Sequence, residues 1–302
     1  MPPEFQEKPP DYNPFLFQEM SGSGIPMEVA IKCGIYVEHD RLSVAKMLRR
    51  GASFREGGFI VFPYFTSEGA RTDEVFQIKP QYPLEPSRKY ESPSCRPNVA
   101  YFPPLLNLTE TIYTFGGTLI ITEGAKKTIA ANHDGVATIG LSGVWNWTKP
   151  RPTDKSGRKI GDYELIDDLA DVGWEGRNAV IVFDTDPRTN PQVTLATCSL
   201  AVVLEQFGAK ASILHLPVEY DTTSQTFKKY GIDDFIVAKG IGSFKQFIDD
   251  SLQPPPSKIS LEEYRNEMRW ARKTIRGQSG IYLDRSGTGT GKSHCDILEI
   301  QQ

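Results

Sequence analysis

Short apolar runs alternate with amphipathic stretches through the second half of the chain. The runs GTLIIT and NAVIVF have the length and composition of buried strands. Residues 125–133 and 192–207 carry apolar side chains at helical spacing, and Gly208 provides a stop for the second helix. Strands that alternate with helices predict a parallel α/β sheet. The four predicted strands cover residues 117–122, 136–139, 178–183 and 211–216.

The first half of the chain is dominated by one apolar and aromatic run and the turn that follows it. GGFIVFPYF at residues 57–65 precedes a turn at Gly69, and EVFQIKP at residues 74–80 comes after it. Two such runs around a glycine turn predict a β-hairpin. Several prolines and a Ser-Gly-Ser-Gly stretch predict a flexible arm at residues 1–26.

Composition narrows the classes of protein to which the chain can belong. The 302 residues are 39% hydrophobic and 24% charged, which is ordinary for a globular protein. No apolar run reaches about 18 residues, so neither a membrane span nor a membrane partner is expected. Four cysteines without a C-x-x-C pair argue against a zinc ribbon and favour a cytoplasmic location. Because the net charge is −4, any contact with nucleic acid requires a local basic surface.

Acidic residues follow two of the predicted strands directly. Glu123 comes after the first of them, and Asp184 and Asp186 come after the third. The carboxyl ends of neighbouring parallel strands meet at one edge of a sheet, where α/β proteins bind ligands. Carboxylate oxygens are the preferred ligands of Mg²⁺, which neutralises charge in phosphoryl transfer. These three residues, the acidic centre, therefore predict a site for Mg²⁺ or Mn²⁺; an ordinary turn is the alternative for the D-x-D pair.

Three segments of the chain resemble the Toprim family. They are ITEGAKK at residues 121–127, IVFDTD at residues 181–186 and GIDDF at residues 231–235. The resemblance implies a parallel sheet flanked by helices, with Glu123 as a metal-site or acid–base residue and Asp184 and Asp186 as metal ligands. It also implies a supporting acidic role for Asp233 and Asp234, for which capping of the helix near Phe235 is the alternative.

Segments upstream are similar to the catalytic core of bacterial-type DNA primases. GGFIVFPYFTSEGA resembles the hairpin of that core, and KYESP and YFPP resemble the segment between the hairpin and the Toprim domain. GVWNW at residues 143–147 fits a Toprim-like family at the front of phage and plasmid replication proteins. The resemblance implies a DNA primase-like nucleotidyltransferase that uses NTP substrates on a single-stranded DNA template. No zinc ribbon precedes the core, although bacterial-type primases commonly use one to engage the template.

Basic residues occur beside the acidic centre and in a polar loop. Lys126 and Lys127 begin the predicted helix after Glu123, where phosphate can also interact with the helix dipole. The loop lies next to Trp145 and Trp147, a combination that suits single-stranded nucleic acid. The alternative for the two lysines is a solvated helix face, and the alternative for the loop is a disordered charged loop with a core tryptophan. The loop residues expected to contact phosphate are Arg151, Lys155, Arg158 and Lys159.

SGTGTGKS at residues 286–293 has the pattern of a phosphate-binding loop. Lys292 would reach the β- and γ-phosphates of ATP, and Ser293 would hold Mg²⁺. Few residues follow the motif, so it is interpreted as the start of an ATPase domain that binds ATP only when complete. A helicase domain and other replisome components are the expected partners. The backbone of Gly287, Gly289 and Gly291 would cradle the phosphates.

The sequence thus predicts four parts and leaves three functions open. A flexible arm at residues 1–26 precedes a primase-core-like α+β region at residues 27–115 and a Toprim-like α/β domain at residues 116–252. Residues 253–302 are expected to form a linker helix and the start of the P-loop domain. The favoured function is primer synthesis within a primase–helicase replication protein. A Toprim nuclease or strand-passing enzyme and a non-catalytic DNA- or nucleotide-binding module are the alternatives.

Overall fold

The structure is a computed structural model that describes most of the chain up to Leu252. Among the described residues, none of the helices combines the length and the apolar character that crossing a membrane requires. The predicted linker helix and phosphate-binding loop, and Asp186 of the acidic centre, lie outside the described residues. The described residues are 13–51, 54–85, 88–94, 96–105, 111, 116–184, 191–217, 219–221, 226–228 and 230–252.

The first described element is helix α1 (Pro14–Ser21), which lies within the segment predicted to be a flexible arm. The side chain of Asn13 accepts hydrogen bonds from the first turn, and Pro14 occupies a position where its missing N–H costs nothing. Leu16 and Met20 are buried. The prediction of a flexible arm is therefore wrong for residues 13–26, because a capped apolar helix outweighs the Pro and Gly signals.

A three-stranded antiparallel sheet follows, with the order β1–β2–β3. The predicted hairpin is confirmed, since β2 pairs antiparallel with β3 and the register shifts once, at Pro63. One face of this sheet packs against helix α3, with Val44, Leu48 and Phe59 among the buried residues between them. The elements are α2 (Met27–Lys32), β1 (Tyr36–Glu38), α3 (Arg41–Leu48), β2 (Phe59–Phe65) and β3 (Arg71–Pro80).

A mixed five-stranded sheet forms the second half. Its strands are β4 (Ala100–Tyr101), β5 (Thr118–Glu123), β6 (Thr138–Leu141), β7 (Asn178–Val182) and β8 (Lys210–Ile213). Their order is β4–β6–β5–β7–β8, and every pair is parallel except β4 with β6. The expectation of a wholly parallel sheet is thus corrected at one edge, where a two-residue strand is too short for a sequence pattern to predict it.

Helices pack against this sheet, and one of them begins directly after a strand ends. α4 (Ala125–His133) follows β5 directly, and α6 (Pro191–Gln206) packs with Leu200 and Leu204 in the core that also buries Trp147. The fold is therefore a mixed α/β arrangement, with helices joining its parallel strands. The remaining elements are α5 (Asp167–Ala170), β9 (Glu219–Asp221), β10 (Thr226–Lys228), α7 (Ile232–Lys239) and α8 (Ile241–Leu252).

Candidate acidic site at the ends of β5 and β7

Two neighbouring parallel strands carry predicted site residues to the same edge of the sheet. Thr122 of β5 lies opposite Val182 of β7, so Glu123 and Asp184 leave the sheet within one residue of each other. Gly124 turns the chain into α4 with φ of 100°, a conformation that side chains other than glycine rarely adopt. The local sequence therefore places a carboxylate and the start of a helix side by side.

Lys127 lies among the carboxylates at this edge. Its Nζ is 2.8 Å from Oδ1 of Asp184 and donates to the carbonyl oxygen of Glu123 at 3.1 Å. Burial lowers the pKa of Lys127, but Asp184 and Asp233, with a further contribution from Glu123, outweigh burial and raise that pKa. Lys127, Glu123, Asp184 and Asp233, here called the Lys127 cluster, thus combine three carboxylates with one ammonium group.

Asp233 and Asp234 have different positions, although they are adjacent in sequence. Asp233 is buried, and its Oδ2 accepts a hydrogen bond from Oγ of Ser23 at 2.7 Å. Its Oδ1 is buried without a hydrogen-bond partner among the described residues. Asp234 is exposed and accepts from the backbone N–H of Gly231 at 2.9 Å, as in a capping box. The helix-capping interpretation therefore applies to Asp234, and Asp233 joins the cluster.

Gly231 sits where any side chain would collide with the cluster. A β-carbon there would lie 2.4 Å from Cε of Lys127, 2.9 Å from Oδ1 of Asp233 and 3.1 Å from Oδ1 of Asp184. Both carboxylate oxygens are near one point, so they are at most about 6 Å apart. The constraint on Gly231 is one of space, because its φ of −108° is accessible to any residue, and a β-carbon would oblige Lys127 or the carboxylates to shift.

A second group of charges lies next to the cluster, and sequence reasoning missed its central residue. Glu19 of α1 pairs through Oε2 with Nζ of Lys126 at 3.0 Å and also with Nζ of Lys79. Burial raises the pKa of Glu19, but the two lysines outweigh it, so the pKa is lower than usual. Lys126, predicted to contact phosphate, is thus bound within the protein. More than 50 residues separate Glu19 from either lysine, so no local sequence signal connects them.

Metal binding at this edge stays a prediction. Among the described residues, no three Asp, Glu, His or Cys side chains come close enough together to hold a metal ion. Asp186 is outside the described residues. The buried Oδ1 of Asp233, which has no hydrogen-bond partner in the described region, fits the chemistry of a cation ligand near Asp184. Mg²⁺ commonly uses only one or two carboxylates together with water and substrate phosphates, so this pair can hold it.

The predicted basic loop lies on a stack of aromatic rings. Trp145 and Tyr163 stack with ring centroids 5.4 Å apart, and the guanidinium of Arg151 lies 4.1 Å from the centroid of Tyr163. Trp147 is buried against both rings. The other three predicted phosphate contacts in the loop, Lys155, Arg158 and Lys159, are exposed.

Comparisons with known proteins match parts of this chain. The model of a domain of unknown function, DUF3854, matches residues 112–243. An uncharacterized protein of Picosynechococcus sp. is 34% identical over 187 residues, which is 58% of this chain but only 18% of that protein. The chain therefore matches a small part of a much longer relative.

Two solved structures show a similar fold. The primase of Aquifex aeolicus, comprising its zinc-binding and RNA polymerase domains, has a TM-score of 0.52 at 15% identity over 88% of this chain and 64% of that chain. A DNA primase domain from Pseudomonas aeruginosa has a TM-score of 0.51 at 17% identity over 94% of this chain and 80% of that chain. The chain thus has a mixed α/β fold similar to that of DNA primase domains.

Proposed function

We propose that the chain carries a primase-like site that joins nucleotides by metal-dependent phosphoryl transfer. The observation that supports it is the pair Glu123 and Asp184, which leave adjacent parallel strands at one edge of a sheet in a primase-like fold. Ligands bind at this edge in α/β proteins, and paired carboxylates suit a divalent cation. The Toprim arrangement and its mechanism are part of this proposal.

Each residue of the Lys127 cluster has a role in the proposed reaction. Asp184, with Asp233 beside it and Asp186 next in the chain, would hold Mg²⁺ or Mn²⁺ together with the phosphates of an NTP. The cation would neutralise the charge that develops during transfer. Glu123 would act as a metal ligand or acid–base group. Lys127 pairs with Asp184 at 2.8 Å and would turn to the incoming phosphate.

Single-stranded DNA is the proposed template, and the basic loop is its proposed contact. Arg151, stacked on Tyr163, and the partly exposed Trp145 offer flat surfaces to bases, while the neighbouring cations meet the backbone phosphates. The motif at residues 286–293 would bind ATP once a complete ATPase domain follows it, so a helicase domain is the proposed partner.

Primer synthesis on single-stranded DNA tests this function. Asp184→Asn, with NTPs and Mg²⁺ or Mn²⁺, is expected to reduce product by about two orders of magnitude, because the metal loses a charged ligand. Asp249→Asn removes an exposed carboxylate on α8 and should leave activity unchanged. Equal product from wild type and Asp184→Asn would reject the proposed site.

A non-catalytic DNA- or nucleotide-binding module is the second candidate, and the ion pair between Lys127 and Asp184 favours it. A carboxylate that is already paired with an internal cation has less affinity for a metal. This candidate predicts DNA binding that survives Asp184→Asn, with no product from wild type. Cleavage of the DNA in the same assay would instead identify a Toprim nuclease.

A further inference from the structure

A separate pocket lies on the opposite face of the three-stranded sheet from the five-stranded sheet. Val61 and Pro63 of β2 line it, whereas the alternate residues Phe62 and Tyr64 face the other way, towards Tyr90 and Tyr101. Its volume is about 580 Å³, within the range of pockets that hold small ligands. The pocket is therefore distinct from the Lys127 cluster.

Positive charge is concentrated in this pocket although the whole chain has a net charge of −4. We call it the basic pocket, after its four cationic residues Lys46, Arg49, Arg71 and Arg96. Glu74 is the acidic residue among those that line it. Its side chain is 66% exposed, so its 2.5 Å pair with Arg96 offsets little of the charge.

Two features of the cationic side chains suit an anionic ligand. Lys46 and Arg49 make no ion pair with any residue in the described part of the chain. The Nε of Arg96 is buried and has no hydrogen-bond partner there either. A buried donor without a partner is costly, and an anionic oxygen would satisfy it. These features suit a phosphate group.

The backbone conformation of Arg49 is also typical of a ligand-binding site. Arg49 ends α3 with φ of 56° and ψ of 45°, a left-handed conformation that glycine usually occupies at this position. Among the described residues other than glycine, it alone has positive φ. Non-glycine residues kept in such conformations cluster at ligand-binding sites.

The rest of the lining suits an aromatic body attached to the phosphate. Tyr36 is 37% exposed, and Met47 and Phe76 provide apolar surface beside it. We propose that the basic pocket binds a nucleotide, with its phosphates on the cationic residues and its base against Tyr36 and Phe76. The nucleotide is either a free nucleoside polyphosphate or one unit of a single strand. This binding needs neither the Lys127 cluster nor a divalent cation.

Equilibrium titration of the full chain in EDTA tests the pocket, with ATP and a ten-residue oligothymidylate as separate probes. All variants carry Lys292→Ala, so that the phosphate-binding motif does not contribute. The double variant Lys46→Gln/Arg49→Gln is expected to weaken binding at least 10-fold. Its matched control Lys210→Gln/Lys239→Gln removes two exposed charges elsewhere and should change binding less than 2-fold.

The two probes distinguish the sources of the nucleotide. A loss confined to ATP identifies a free nucleotide, and a loss for both probes identifies a site that accepts a nucleotide within a strand. Binding that the double variant does not weaken, or weakens no more than the control, overturns the proposal. The titration in EDTA needs no divalent cation, and primer synthesis by Asp184→Asn tests the catalytic site separately, so failure of the basic pocket and failure of the proposed catalytic site give different results.

Discussion

The Lys127 cluster and the basic pocket differ in how their charged side chains are paired. In the cluster, an ammonium group sits among three carboxylates, and the neighbouring lysines share Glu19. In the basic pocket, Lys46 and Arg49 have no ion-pair partner in the described region, and Arg96 has only an exposed one. Breaking a charge pair inside the protein leaves a buried charge without its partner, whereas an unpaired charge at the surface is available to a ligand. The comparison therefore predicts a larger loss of stability from substitutions in the cluster than from substitutions in the pocket.

Removing the cation of the cluster should have the largest effect. Lys127→Met leaves Asp184 and Asp233 mostly buried without their counter-charge, and we expect the free energy of unfolding to fall by about 2–4 kcal/mol. Lys46→Met in the basic pocket should change it by less than about 0.5 kcal/mol. Urea unfolding followed by circular dichroism measures both. Similar changes in the free energy of unfolding of the two variants would contradict the expected difference between the cluster and the pocket.

A methyl group at Gly231 should disturb the cluster without changing any charge. Because it would lie 2.4 Å from Cε of Lys127, we expect Gly231→Ala to destabilise the protein by about 1–3 kcal/mol. Gly242→Ala is the matched control, since nothing lies within 4 Å of its β-carbon in α8. Because Gly242 lies in the first turn of the helix, the change should alter stability by less than about 0.5 kcal/mol. A neutral Gly231→Ala would mean that Lys127 can move away at no cost.

The pH dependence of the free energy of unfolding should distinguish a carboxylate paired beside the cluster from an exposed one. The pKa of Glu19 is below its usual 4.5, so its stabilisation is present above that pH and is lost as the pH falls through the lowered pKa. We expect the free energy of unfolding of Glu19→Gln to be lower than that of wild type by about 1 kcal/mol at pH 7. This difference should shrink as the pH falls. Unfolding in urea from pH 3 to pH 8 tests this. Glu205→Gln, an exposed control, should show no such difference.

Relief of the backbone at Arg49 should give the smallest effect, with the opposite sign. Arg49→Gly removes the strain at φ of 56°, and we expect a gain of about 0.5 kcal/mol in the free energy of unfolding. The same change removes a cation from the basic pocket and should weaken ATP binding. A variant that loses both stability and binding would assign Arg49 to the folded core instead of the pocket.

The sequence predicted features that depend on neighbouring residues. GTLIIT and NAVIVF were correctly predicted as β5 and β7, because apolar composition and length are local signals. The hairpin β2–β3 was confirmed for the same reason. The position of Glu123 beside Asp184 follows once these strands are known to be adjacent, although their roles as site residues stay predictions.

The features that the sequence did not predict depend on distant residues. Glu19 contacts Lys79 and Lys126 only because α1 packs beside the sheet edge, and no pattern near Pro14–Ser21 indicates that placement. The basic pocket collects residues between Tyr36 and Arg96 that form no motif. Lys127 was expected to contact phosphate. Its ion pair with Asp184 depends on the space beside Gly231, which has no side chain.

The hydrogen bond from Ser23 to Asp233 also affects how the molecule is assembled. It joins residues 210 positions apart in the sequence. Such contacts form late in folding, because the entropy of a long loop is lost before the contact is gained. During synthesis, α1 leaves the ribosome when α7 does not yet exist. We therefore expect the carboxylate edge to be completed late, and a chain truncated before Gly231 lacks Asp233 and with it the third carboxylate of the Lys127 cluster.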